Sequence, residues 1–260
     1  MLKGRVAVVT GSTSGIGLGI ARALAAEGCA VMMNGFGDAA EIERQRAGLA
    51  EEFGVQALFS GADLSKPEGC AELISGAEER LGAVDILVNN AGIQHVSPIE
   101  DFPVDRWDAI IAVNLSSTFH TIRRALQGMK SRGWGRLINI ASVHGLVASP
   151  NKVAYCAAKH GLIGLTKVVA LETAKTGITC NAICPGWVLT PLVRRQTEAR
   201  AESEDISVAG AEHQFLIEKQ PSLRFTTVEE VGALVVFLSS DGASNLTGAS
   251  IPVDGGWTAQ

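Results

Sequence analysis

The sequence predicts a single α/β domain, a doubly wound parallel sheet of about seven strands with helices on both faces, and three observations carry that expectation. Short apolar, β-branched runs at 5–10, 30–33, 55–59, 84–88, 135–140, 177–183 and 249–253 alternate with longer stretches of helical pattern. The runs are almost continuously apolar, as in Val6-Ala7-Val8-Val9 and Ile86-Leu87-Val88, which suits strands covered on both faces. The length of 260 residues is near the upper limit for one hydrophobic core, and no linker, repeat or low-complexity tract divides it, so residues 1–260 read as one domain.

Composition narrows the function. With 47% hydrophobic and 19% charged residues, disorder is excluded. A net charge of -5 without a basic block leaves no footprint for nucleic acid or an anionic membrane. No segment approaches the ~18 apolar residues of a membrane span, and the short apolar stretch after Arg5 reads as the first strand and not as a signal peptide. A cytoplasmic protein acting on a small molecule is expected. The five cysteines contain no C-x-x-C pair and are odd in number, so they read as buried thiols in a reducing compartment. Cys180 and Cys184 lie too far apart on a strand to share a metal, and no metal site is expected.

Taken in order, the elements carry chemistry at their carboxyl ends. The first run passes into Thr10-Gly11-Ser12-Thr13-Ser14-Gly15-Ile16-Gly17, which opens a helical stretch. Gly11 allows a tight turn, Gly15 lets the backbone approach a pyrophosphate and Gly17 permits close packing. Helix-terminal N–H groups then meet the phosphate charge. Strand, glycine turn and helix in this order make a Rossmann-like dinucleotide site the expectation, with Thr13, Ser14 and Ile16 in the same turn. After the second run, Asn34-Gly35-Phe36-Gly37 offers no cation for a 2′-phosphate, and Ser14 offers none either. NAD is therefore favoured over NADP, although the usual acidic partner of the ribose is missing, and Phe36 is expected against the adenosine. Asp63-Leu64 follows the third run and Asn89-Asn90-Ala91-Gly92 the fourth, both where a dinucleotide would lie.

Asn114 is a polar residue in the apolar Val113-Asn114-Leu115 of a long helical stretch, so it requires a partner. Ser142 follows the fifth run and is suited to hold a substrate oxygen. Tyr155 is the only tyrosine, and Lys159 stands four residues on, so the two share a helix face. A phenol with its ordinary pKa near ~10 is a sluggish base; a nearby ammonium is expected to lower that value and make Tyr155 a general acid/base. Residues 188–221, long, charged and locally helical, follow a late strand and are expected to form a substrate lid.

In order and spacing, the G-x-x-x-G-x-G turn, Asn-Asn-Ala-Gly, Asn114, Ser142, Tyr155 and Lys159 resemble the short-chain dehydrogenase/reductase family from Gly11 to Gly256. The resemblance implies a catalytic tetrad of Asn114, Ser142, Tyr155 and Lys159, with the asparagine holding a water that relays protons to the lysine. It also implies that Asp63 and Leu64 meet the adenine, that Asn90, Ala91 and Gly92 support the ribose, and that Pro185, Gly186, Val188 and Thr190 border the nicotinamide. A homotetramer is implied as well. For assembly, the helix face Leu162, Leu165 and Val169, with Gly161 and Gly164, suits either a symmetric interface or burial on its own sheet.

For the substrate, Gln94, His144, Lys152 and Gln196 can each donate to an anion, with Lys152 as counter-charge, and Trp187 and Trp257 can wall a small pocket. The stretches Gly92-Ile93-Gln94-His95, 142–147, Asn151-Lys152, Cys184-Pro185-Gly186-Trp187 and 253–257 resemble the D-3-hydroxybutyrate dehydrogenase branch of the family. That implies reversible oxidation of (R)-3-hydroxybutyrate to acetoacetate. Val143 and Pro150 depart from the smaller residues expected there. A 3-oxoacyl-carrier-protein reductase would call for NADPH and a basic patch, and a sugar or polyol dehydrogenase would make little use of Lys152 and His144. A non-catalytic cofactor sensor would not need Tyr155 and Lys159 together.

Overall fold

The computed structural model of the chain describes residues 2–259, the Leu192 side chain excepted; Met1 and Gln260, the ends of the expected domain, lie outside the described residues. Seven strands form one sheet: β1 (Val6–Val9), β2 (Ala30–Asn34), β3 (Ala57–Ser60), β4 (Ile86–Asn89), β5 (Gly135–Ile140), β6 (Ile178–Pro185) and β7 (Ser250–Val253). Their order is β3-β2-β1-β4-β5-β6-β7, and every neighbouring pair is parallel. The order reverses between β1 and β4, which opens a crevice beyond their carboxyl ends.

Burial on two faces explains the unbroken apolar runs. Val9, Ile86, Val88 and Ile138 face a layer that holds Ile20 and Leu24 of α1 (Gly15–Ala26), Leu49 of α2 (Ala39–Phe53) and the apolar side of the helix Val228–Ser239. Val8, Leu87 and Leu137 face the opposite layer, built on α3 (Pro67–Leu81) and on α5 (Ser117–Arg132), which follows α4 (Val104–Ile111). Each such Leu or Ile, taken fully from water, contributes roughly 1.5–3 kcal/mol.

The helix α6 (Val153–Thr173) resolves one open expectation. Leu162 is buried, and Leu165 and Val169 pack on the core, so this face covers its own sheet. Gly161 lets Leu115 approach closely. Val168 and Leu171 of α6, and Phe119 of α5, are the exposed large apolar side chains on these helices.

The expected lid is present as α7 (Pro191–Glu204) and α8 (Val208–Lys219), with Thr190 and Ser207 accepting from backbone N–H groups as their N-caps. The chain returns through α9 (Val228–Ser239), started by a reciprocal Thr227–Glu230 capping box. Among the described residues no helix is long and apolar enough to cross a membrane. The five cysteines are free, four of them buried and Cys156 partly so.

Candidate active site

A cleft of about 620 Å³ runs beyond the carboxyl ends of the central strands. Every expected site residue except Asn114 lines it.

At one end the glycine turn is built to exclude side chains. A Cβ on Gly17 would lie 2.2 Å from the Gly11 carbonyl oxygen, and one on Gly11 would lie 2.8 Å from Ala91 Cα. The turn is fixed from the neighbouring strand: Asn90 Nδ2 donates to the Thr10 and Gly11 carbonyls at 2.9 and 3.0 Å, and the backbone N–H groups of Asn90 and Ala91 donate to Thr10 Oγ1. Thr13 Oγ1 donates to the Phe36 carbonyl at 2.9 Å, which joins the turn to the loop after β2. The Ser14 side chain makes no cap bond at the start of α1. Gly15, Ile16 and Gly17 therefore present a bare helix N-terminus to the cleft. Phe36 is 69% exposed beside it.

Asn34 was not anticipated. Its carboxamide donates to the Ser60 and Ala62 carbonyls, both at 3.1 Å, and so sets the spacing of β2 and β3 under the cleft. An asparagine that closes an apolar strand was the available signal. Asp63 is held below the usual carboxylate range by hydrogen bonds from Ser65, and it lines the cleft with Leu64. A cradle without room for a Cβ, a helix N-terminus and small residues at three strand ends fit a dinucleotide. Gly92, Pro185, Gly186, Val188 and Thr190 continue that floor toward the other end.

At the catalytic end Ser142 is buried and accepts from the His144 N–H at 3.1 Å. Lys159, 4% exposed, donates to the Ile140 carbonyl at 2.7 Å, and its Nζ stands 5.6 Å from the Tyr155 ring centroid. Burial lowers Lys159 to about 8. Tyr155 departs from expectation: burial pushes its phenol up, and a hydrogen bond from Ser142 offsets this only in part. No lowering of the phenol by Lys159 stands beside that of Ser142.

Asn114 also departs from expectation. It lies in a one-turn π-helical segment, Ala112–Ser116, between α4 and α5, and not on an unbroken helix. Its Oδ1 accepts from the Ile93 N–H at 2.8 Å and its Nδ2 donates to the Ile93 carbonyl at 2.9 Å. The side chain thus fixes the loop after β4 from behind the cleft wall.

The expected anion donors separate into two groups. His144 is not a cation: burial, with Lys152 and Lys219 nearby, takes it down to about 4. Its nitrogens face the hydroxyls of Ser142 at 3.4 Å and Ser149 at 2.9 Å, so the ring orients Ser142. Lys152 carries the charge. Its Nζ stands 5.4 Å over the Trp187 ring, burial lowers its pKa, and no carboxylate among the described residues forms an ion pair with it. Gln94 and Gln196 line the same space.

Trp187 and Trp257 stand 5.9 Å apart, and Trp257 meets His144 edge-on at 5.5 Å. Arg195 on α7 lines the cleft and was not anticipated; nothing in the local sequence separates it from its exposed neighbour Arg194.

Comparison with known proteins agrees with this geometry. A sequence profile described as enoyl-(acyl carrier protein) reductase matches residues 11–258. The chain is 60% identical over 262 residues to a D-beta-hydroxybutyrate dehydrogenase of Cupriavidus necator, covering 100% of both. It is 53% identical to the protein of the same name from Rhizobium meliloti, covering 98% of this chain and 99% of that one. The crystal structure of levodione reductase superposes with a TM-score of 0.91 at 33% identity, covering 100% of this chain and 99% of the other. In sequence along almost its whole length and in the order of its strands, the chain belongs to the short-chain dehydrogenase/reductase family.

Proposed function

We propose that the protein interconverts (R)-3-hydroxybutyrate and acetoacetate with NAD. One observation carries the reading: the Lys152 ammonium, without a carboxylate partner, lines the same cleft as Tyr155, Ser142 and Lys159 and lies against the Trp187 ring. A cation at that position suits a short carboxylate, and two tryptophans leave room for a short chain. The names of the two relatives above agree with that substrate.

When bound, the oxidised nicotinamide supplies the hydride acceptor and a positive charge beside the phenol. In oxidation Tyr155 takes the hydroxyl proton as a phenolate, the form that the positive charge of the bound cofactor would favour against burial, while Ser142, oriented by His144, holds the oxygen. In reduction a phenol kept protonated by burial donates that proton back. Gln94, Gln196 and Lys152 hold the carboxylate, and Trp187 and Trp257 bound the chain. Thr13, Ser14, Gly15, Ile16 and Gly17 receive the pyrophosphate, and Phe36, Asp63, Leu64 and Asn90 flank the adenosine. Neither the glycine turn Thr10–Gly17 nor Asn34–Gly37 carries a lysine, arginine or histidine to meet a 2′-phosphate, which favours NAD over NADP. A cytoplasmic homotetramer belongs to the same reading, and the exposed Phe119, Val168 and Leu171 support assembly through α5 and α6.

The test is NADH formation with (R)-3-hydroxybutyrate, with the (S)-acid, longer 3-hydroxy acids and NADP in parallel. Activity is expected with the (R)-acid and NAD. Lys152→Ala is expected to raise KM about 10- to 100-fold with a smaller change in kcat. No turnover of any hydroxy acid by protein that binds NADH would refute the substrate.

A further inference from the structure

The lid rejoins the body of the protein at Gln220, the C-cap of α8, and this residue is 1% exposed. Its side chain is bonded at both ends. Oε1 accepts from the Trp187 N–H at 2.9 Å, and Nε2 donates to the Arg224 carbonyl. Its own N–H donates to the Leu216 carbonyl at 2.7 Å, and its carbonyl accepts from Leu223 at 2.9 Å. Two glycines clear the seat: a Cβ on Gly186 would stand 2.8 Å from Oε1, and one on Gly255 would stand 2.7 Å from Cγ. Ser222 N–H donates to the Gly255 carbonyl and Thr226 N–H to the Trp187 carbonyl, both at 2.9 Å. One amide therefore joins the end of the lid, the loop after β6 and the return to α9, and the adjacent Ser222 N–H ties the same segment to the C-terminal turn. A buried amide satisfied at both ends is costly to disturb, since each freed partner stays buried.

Trp187 is what this clamp positions. Its ring meets Phe215 of α8 edge-on at 5.1 Å and stands 5.9 Å from Trp257. Trp257 meets His144 at 5.5 Å, and His144 meets Tyr155 at 6.0 Å. An unbroken line of rings thus runs from the lid to the tyrosine, and Gln220 fixes both the backbone of Trp187 and the helix that carries Phe215. Gln220 itself is not among the residues that line the cleft.

We propose that Gln220 is a positioning residue that sets substrate length: by anchoring Trp187 and the end of α8, it holds the wall that admits a four-carbon hydroxy acid and excludes longer ones. The proposal rests on the substrate reading above.

The test compares Gln220→Met, which keeps the length and removes both amide bonds, with Gln220→Glu, which keeps the acceptor for the Trp187 N–H. KM and kcat are measured for (R)-3-hydroxybutyrate and its six-carbon homologue, together with NADH affinity, tryptophan emission and protease cleavage within 191–219 in the presence of NADH. For Gln220→Met the four-carbon KM is expected to rise about tenfold with kcat changed less than about threefold, and the preference over the six-carbon acid to fall about tenfold. NADH affinity is expected to stay within about twofold, and Gln220→Glu to show about a third of the KM effect. An unchanged KM and chain-length preference, or a KM rise matched by an equal loss of NADH affinity, overturns the proposal. Should Gln220→Met not fold, unchanged KM and lid cleavage in Gln220→Glu overturn it. If the parent protein oxidises no 3-hydroxy acid, the substrate reading and the length selection fall together. The anchoring then stands on faster lid cleavage and shifted emission in Gln220→Met, and falls if both are unchanged.

Discussion

The Lys159 ammonium donates to the Ile140 carbonyl at 2.7 Å, which ties the catalytic face of α6 to the end of β5 inside the protein. Burial takes the amine from 10.5 to about 8. Between those values the unfolded chain holds the extra proton, so this residue makes stability rise with pH from about 8 to 10.5. In Lys159→Met that contribution is absent. The difference in unfolding free energy between the two proteins should change by up to about 3 kcal/mol across the window, read from denaturant titrations. A constant difference would show that the amine is not desolvated.

The neutral His144 gives a second test. With its pKa near 4, the ring carries no charge where the enzyme works, and Lys152 supplies the cation. KM for the hydroxy acid should therefore be flat from about pH 5.5 to 7.5. A KM that climbs severalfold as pH passes the ordinary histidine value of 6.5 would return the carboxylate to His144. Because the folded value lies below the unfolded one, the same ring makes stability fall as pH drops from 6.5 toward 4, and His144→Gln should flatten that fall by about 3 kcal/mol.

Gly17→Ala tests the cradle. The new methyl group would meet the Gly11 oxygen at 2.2 Å and Asn90 Nδ2 at 2.5 Å, and relief would break the bonds that hold the turn. Overpacking of this kind costs about 1–3 kcal/mol, several degrees in Tm for a chain of this size. NADH binding, followed by fluorescence, should weaken at least about tenfold. A variant with unchanged Tm and unchanged affinity would refute the role of this contact.

Local patterns made the framework legible. Val8 and Val9 face opposite layers, so burial on two sides is already visible as an unbroken apolar run. The glycine turn and the Tyr155–Lys159 pair are set by spacing along one element. What escaped the sequence depends on partners distant in the chain. The charge state of His144 is fixed by its burial and by Lys152 and Lys219, the second of these from the lid. The upward shift of Tyr155 comes from burial that no i, i+4 rule contains. The π-helical turn holds Asn114 on the Ile93 backbone, a partner twenty-one residues away, and the face at Leu162, Leu165 and Val169 fitted two partners until the sheet claimed it. Gln220 reads as an ordinary polar lid residue until Trp187 is seen against it.

The strand order has a kinetic consequence. No neighbouring pair in the sheet is joined by a hairpin: Ala7 pairs with Ile86, and Ala182 with Ser250, across long crossovers. Such distant closures make folding slow. The cleft, whose walls run from Gly11 to Trp257, exists only once they are complete. A molecule seated there has nothing to grip in the half-formed chain; it prolongs the lifetime of the finished protein by slowing its unfolding and leaves the rate of folding unchanged.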